Sequence, residues 1–399
     1  MTAPPTTQMG RKRIVHSRRR VHHCFEGLGM TKKRLVLHPG FHKSATTALQ
    51  EALSEQRSHL KESGVLYPSI GTKTHHRAAW SLNGTVWGWK KRGGESFPLK
   101  VWENLAKRVS AASEPTVIIS SEFFSELDGE KIRKASQDLK SREVEILFTL
   151  RPLVKLLPSS YQQYLKYGLK IKYEDWLYEI FENRDKTKVS PTFWKRHEHS
   201  KVIARWVDTF GTSNVTVIIA DETKPEFLFT EVNKYLGLPD GSLAASKIGS
   251  NRSLNMEEIS LLLEINNQFP KDRSWDEYEI FIRNGYIRQL TDHVPPAKDK
   301  DRLLTPEWAI QRANELGRGT VRDLKNYGIK VIGNLDSLGD STVPVGQSKY
   351  TETIDIKTIA GAMLAFDQRL TNKLPANWLW KSFRKRLKRQ ISLRSKKPN

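Results

Sequence analysis

Five short apolar runs of β character, at residues 35–38, 65–67, 116–120, 145–150 and 215–220, recur between segments whose apolar positions fall at helical spacing. Runs that are apolar throughout, not alternating, are strands buried on both faces. Their alternation with helices predicts a parallel sheet covered by helices. The helical segments are residues 100–113, 129–139, 153–166, 173–181, 203–210 and 226–236, with Pro191, Gly211 and Pro239 as punctuation. Residues 255–326 are mostly helical in pattern, most clearly at 257–265 and 306–316. The Ser-, Thr-, Val- and Gly-rich stretch 339–353 predicts a mobile loop before a final helix at 354–370. No internal repeat and no long linker interrupts this body. One α/β domain with a helical C-terminal elaboration is expected over residues 34–375, between basic segments at 1–33 and 376–399.

The first strand ends at an informative junction. Arg34-Leu-Val-Leu-His-Pro-Gly-Phe-His-Lys43-Ser-Ala-Thr-Thr-Ala-Leu-Gln50 runs from the strand through Pro39 and Gly40, which break it, into a hydroxyl-rich helix start over residues 44–60. Free N–H groups and the positive dipole end of that helix face the turn beside Lys43, and a phosphate or sulfate fits there. The nucleotide-triphosphatase loop needs a Gly immediately before its Lys, and His42 stands there instead. A second junction, Ile146-Leu-Phe-Thr-Leu-Arg151-Pro152 running on to Ser159, Gln162 and Gln163, puts an Arg at a strand's carboxyl end. Such an Arg can fork onto phosphate oxygens, with the Ser hydroxyl two helical turns along adding a bond. The same letters also fit a surface Arg and a helix-face Ser.

As a pair, these junctions resemble the 5′-phosphosulfate loop and the 3′-phosphate motif of sulfotransferases of the bacterial polysaccharide type. The first motif usually reads like H-x-G-x-x-K-[ST]-G-T-T-x-L-Q, and it is matched at His38, Gly40, Lys43, Ser44, Thr46, Thr47, Leu49 and Gln50. In the second, Arg151 and Ser159 stand eight positions apart. Ala45 occupies a position where that family favours Gly. Ala is harmless there if the backbone is helical and strained if φ is positive. The resemblance implies a P-loop NTPase-like three-layer sandwich and one ligand, 3′-phosphoadenosine 5′-phosphosulfate (PAPS). Gly40, Phe41, His42, Lys43, Ser44, Ala45, Thr46 and Thr47 would serve its 5′ side, and Arg151 and Ser159 its 3′ side. Asn251 and Arg252, in a segment similar to the family's N-x-S-L stretch, would close over the 3′-phosphate or adenine; a turn and helix cap explain them equally.

The implied reaction is sulfuryl transfer to a hydroxyl or amine of a glycan, a lipid-linked sugar or a small metabolite, with no metal required. Lys43 is expected to meet the charge that builds on the bridging oxygen. A base must receive the acceptor's proton. Glu122, after residues 118–121 at a strand's carboxyl end, is the first candidate, although a capped first turn fits it as well. His75 and His76 resemble a His pair of the same family and are the alternatives. Trp80, Trp87, Trp89, Lys90, Lys91 and Arg92 suit an acceptor groove or an exposed insertion.

The net charge of +22 suggests a nucleic-acid binder until it is located along the chain. Residues 1–33 carry net +7 and residues 381–399 net +9, so the ends hold sixteen of the charges. Nucleic acid is therefore disfavoured as a partner. The run from Trp378 to Ile391 interleaves apolar residues with cations at near-helical spacing, which suits an interfacial helix on anionic lipid. The one cysteine, Cys24, permits no intrachain disulfide, and no apolar run approaches a membrane span, so a reducing cytoplasm, peripheral to the membrane, is expected. Residues 1–29 look like neither a signal peptide nor part of the fold, and Met30 is an alternative start. A P-loop kinase and a nonenzymatic binder that uses its basic tails are the competing readings. The oligomeric state is left open.

Overall fold

The computed structural model describes residues 33–84, 96–184, 188–245, 252–293, 302–356 and most of 359–394. Its centre is a parallel sheet of six strands, β1 (Arg34–His38), β2 (Val65–Leu66), β3 (Thr116–Ser120), β4 (Glu143–Leu150), β5 (Val215–Ile219) and β6 (Lys330–Ile332), in the order β2-β3-β1-β4-β5-β6. Side chains on one strand alternate between faces, and here both faces are buried. Leu35 and Leu37 of β1 join Val117, Ile119, Phe148 and Val217 on one side; Val36 joins Ile118, Leu147 and Ile218 on the other.

The helices form the outer layers. On the Val36 side lie α1 (Thr46–Glu55), α2 (Arg57–Glu62) and, later in the chain, a helix at Glu226–Leu236. On the Leu35 side lie α3 (His76–Asn83), α4 (Lys100–Ala111) and α5 (Gly129–Leu139), the last capped by the Asp128 carboxylate accepting from the Lys131 amide. A second core joins α6 (Leu153–Leu165), α7 (Tyr173–Glu182) and later helices at Met256–Gln268 and Glu307–Tyr327 around Tyr161, Tyr173 and Trp176. Two further helices, α8 (Phe193–His197) and α9 (His199–Phe210), lead back to β5.

Three expectations change. The single helix over 44–60 is two helices, α1 and α2, that meet at Gln56. Strand β6, only three residues long and partly exposed, carries too weak an apolar pattern to be predicted. The stretch 339–353 is strapped down, not a free loop. Thr305 donates its amide to the Pro344 carbonyl, Gly346 donates to Thr305, and the Tyr173 amide donates to the Tyr350 hydroxyl at 2.7 Å.

Candidate active site

Strands β2 and β3 lie on one side of β1, and β4, β5 and β6 on the other: the chain goes from β1 out to β2 and back through β3, then crosses to β4. A crevice opens at the carboxyl ends of the strands where the winding reverses, and open α/β sheets bind ligands there. The loops after β1, β3 and β4 converge at that point. His38 pins the three strands beneath them: its Nδ1 lies 2.7 Å from Ser120 Oγ and its Nε2 3.3 Å from Thr149 Oγ1. Burial pushes this ring down to about 4, so it is neutral at pH 7.

The loop after β1 is wound by backbone conformations that side chains resist. Gly40 has φ 54°, and a Cβ there would collide with Thr46 Cγ2. Lys43 and Ala45 have φ 66° and 61° and are the two non-glycine residues with positive φ among the described residues. Ala45 is thus the strained alternative, at a cost of about 1 kcal/mol. Phe41 anchors the loop through its buried ring, which lies against Phe148 at 5.2 Å and His199 at 4.5 Å. Helix α1 then starts at Thr46 with no side-chain cap, so its first-turn amides are available to an anion. Thr46 is buried and Thr47 exposed.

Lys43 Nζ donates to Gln163 Oε1 at 3.1 Å. Burial, helped by the Arg151 charge and opposed by Glu122, holds its amine below the ordinary lysine range. Arg151 Nη1 donates to the Lys43 carbonyl at 2.6 Å, which ties the β4 loop to the β1 loop. Its Nη2 pairs with Glu222, which also receives Lys155 Nζ at 3.2 Å. Two buried polar atoms at this junction have no partner, Ser44 Oγ and Arg151 Nε. Buried donors are nearly always satisfied, and an oxyanion can satisfy either of these. The residues present fit a ligand with phosphate-like groups.

Ser159 turns its hydroxyl onto the Leu156 carbonyl of its own helix at 3.0 Å. It belongs, however, to a stripe of polar side chains at helical spacing. Lys155, Ser159 and Gln163 stand one turn apart on α6, Lys166 follows, and all four are partly exposed. Lys166 is pushed down to about 8 by burial and by the Lys43 and Arg252 charges.

On the β3 side, Glu122 Oε2 receives Gln50 Nε2 at 3.1 Å and lies 3.7 Å from His76 Nδ1, which is itself 2.8 Å from Ser121 Oγ. Burial alone would raise the Glu122 carboxyl; the His76 and His42 rings, its backbone amide and Gln50 outweigh that and hold it below its usual value. Burial lowers His76, with Glu122 opposing. At pH 7 the pair is a carboxylate beside a neutral imidazole, and both can accept a proton. Ser121 caps the short turn Glu122–Glu126 by accepting from the Phe123 amide, so Glu122 is a first-turn residue whose carboxylate also receives Gln50. His42 Nε2 donates to Glu126 Oε1 at 3.0 Å, and Arg196 Nε donates to the same oxygen at 2.9 Å. Neither Glu126 nor Arg196 carries a spacing signal in the sequence. The Phe123 ring forms a floor between His42, His76 and Trp80, with centroids at 5.0, 5.1 and 4.7 Å.

Two expected residues are engaged elsewhere. His75 does not face the crevice as a base: buried, it accepts the Ser120 amide at Nδ1 and donates from Nε2 to the Pro68 carbonyl, so both nitrogens are used in clasping a loop to β3. Burial pushes it down to about 4. Arg252 forks onto Glu258 at 2.8 and 2.7 Å, and Glu258 completes a capping box with Asn255, so the turn-and-cap reading describes this segment. Asn251, like Trp87, Trp89, Lys90, Lys91 and Arg92, lies outside the described residues. A recess of about 300 Å³ beside α9, lined by His197, His199 and Thr320 among others, includes none of Lys43, Ser44, Glu122 or Arg151. The convergent loops define the site instead. Among the described residues no group of His, Cys, Asp and Glu has metal-binding geometry.

No family model matches the chain, and no curated protein matches its sequence. Among solved structures a likeness in fold is found. The neighbour is a sulfotransferase from Alicyclobacillus acidocaldarius, 17% identical, similar over 59% of this chain and 92% of that one, with a TM-score of 0.37. A likeness of that degree carries nothing further.

Proposed function

We propose that the protein is a sulfotransferase that moves a sulfuryl group from PAPS to a hydroxyl or amine. The observation that carries this reading is the pair of buried, unpartnered polar atoms, Ser44 Oγ and Arg151 Nε, on two loops joined by the Arg151 to Lys43 carbonyl bond. One loop ends in uncapped helix amides and a lysine, the other in an arginine, and together they suit a ligand with an anionic group at each end. Bound PAPS would supply an activated sulfuryl group whose departure needs no metal.

The chain's own groups then have distinct roles. Lys43 and the first-turn amides of α1 meet negative charge as it builds on the bridging oxygen, which stabilises the transition state more than the ground state. Arg151 holds the 3′-phosphate, and Ser159 adds a donor once its hydroxyl rotates away from Leu156. Glu122, with His76 at its side, receives the acceptor's proton. Trp80 and Phe123 offer the apolar faces on which a sugar ring stacks.

Calorimetric titration with 3′,5′-adenosine bisphosphate (PAP) beside 5′-AMP and ATP with Mg²⁺ tests the reading. Binding that needs the 3′-phosphate is expected. A preference for ATP with Mg²⁺ would replace this reading with the kinase.

A further inference from the structure

Among the described residues, eight of the twelve large apolar side chains that stand exposed lie at or after Ile356. The helix Ala376–Arg394 carries seven Lys and Arg and no acid, yet Leu379 is 49% exposed, Trp380 58%, Phe383 55% and Leu387 45%. At 100° per residue these four fall within an arc of about 100°. Lys381, Arg384, Lys385, Arg386 and Lys388 lie outside that arc and flank it on both sides. Arg384 sits over the Trp380 ring at 5.3 Å, and Trp380 stacks on Phe383 at 5.9 Å.

The body of the protein does not cover this stripe. Trp378 packs edge-on against Phe281 at 5.1 Å, and it lies about 150° round the helix from the centre of the apolar arc. The contact that holds the helix therefore turns its apolar stripe outward. Ile356, Met363 and Leu364, in the segment just before, are 82%, 69% and 65% exposed and extend the same character.

We infer that this helix docks the protein on an anionic lipid surface, with Leu379, Trp380, Phe383 and Leu387 entering the acyl boundary and the flanking cations meeting the headgroups. Charge complementarity selects the occupant. Nucleic acid would use the cations and leave four large apolar side chains in water, whereas a membrane interface uses both. The helix lies on the membrane and does not cross it, since no described helix is long and apolar enough to span one. Nothing in this inference depends on the sulfotransferase reading.

The test is co-sedimentation of the full chain with phosphatidylcholine vesicles, with vesicles containing phosphatidylglycerol, and with duplex DNA. A Trp380→Ser, Phe383→Ser double variant keeps every charge and alters only exposed positions, so its fold is preserved. Retention on the anionic vesicles is expected, with partition at least about tenfold weaker in the double variant. Equal retention of parent and double variant would reduce the effect to charge alone and overturn the inference. So would absence of binding to anionic vesicles, or a preference for DNA at matched charge. PAP binding is unchanged in the double variant, so failure here leaves the active-site reading standing.

Discussion

Arg151 offers the sharpest test of the site, because its partners in the free protein show what a ligand must displace. Nη1 is committed to the Lys43 carbonyl, Nη2 is held by Glu222, and Nε is buried without a partner. A 3′-phosphate would take Nε and exchange with Glu222 at Nη2. Charge-assisted bonds of this kind contribute about 1.5–3 kcal/mol each, and the exchanged one contributes less because a carboxylate is given up. Arg151→Ala should thus weaken PAP binding by about 2–4 kcal/mol, roughly 30- to 1,000-fold. The loss for 5′-AMP, which lacks the 3′-phosphate, should be far smaller. Glu222 is 40% exposed, so its pairing with Arg151 contributes little. Glu222→Gln should tighten PAP binding by up to about fivefold by removing the competitor. Calorimetry of both variants with both nucleotides reads these numbers. Equal losses for PAP and 5′-AMP in Arg151→Ala, or weaker PAP binding in Glu222→Gln, would refute the placement of the 3′-phosphate.

Other expectations follow from the same geometry. Lys43→Ala should lower turnover by about 10²- to 10³-fold in a PAP-release assay with PAPS while leaving the melting curve intact. Ala45→Gly should raise stability by about 0.5–1 kcal/mol in urea titration, since it relieves the positive φ, whereas Gly40→Ala should abolish nucleotide binding through its collision with Thr46. His38, His75 and His199 are each buried and pushed down to about 4, below the unfolded value of 6.5. Below pH 6.5 the unfolded chain binds protons that these rings refuse, so stability is lost as pH falls toward 4. At pH 5 the loss is about 2 kcal/mol per ring, and denaturant unfolding at pH 7 and pH 5 checks it.

Much of the fold was legible because strands buried on both faces read as apolar runs. Leu35 to Leu37 and Val215 to Ile219 carry that signal without ambiguity, and the predicted helices at 129–139 and 226–236 coincide with Gly129–Leu139 and Glu226–Leu236. The turn after β1 was legible because Gly40, which has φ 54°, breaks the strand before Lys43. What stayed hidden depends on contacts between distant residues. Nothing near His75 in sequence says that its ring will clasp the Ser120 amide, and nothing near Arg252 says that Glu258 will neutralise it. Glu126, Arg196 and Glu222 enter only when the loops converge. The α6 stripe of Lys155, Ser159, Gln163 and Lys166 is the exception, a period of one helical turn on an otherwise buried helix that could have marked Gln163 and Lys166 beforehand.

The strap formed by residues 339–353 sets an order on assembly. Tyr350 satisfies the Tyr173 amide across 177 positions of sequence, and Ser348 accepts and donates at Leu304 across 44. Until that late segment emerges from the ribosome, the aromatic core of α6 and α7 lacks its lid, and the Tyr173 amide stays open to water. The sheet, whose first five strands are complete by Ile219, can form long before. The half that carries the loops after β1 and β4 should therefore mature early, and the packing of the helical core around Tyr173 should be the last cooperative step of folding.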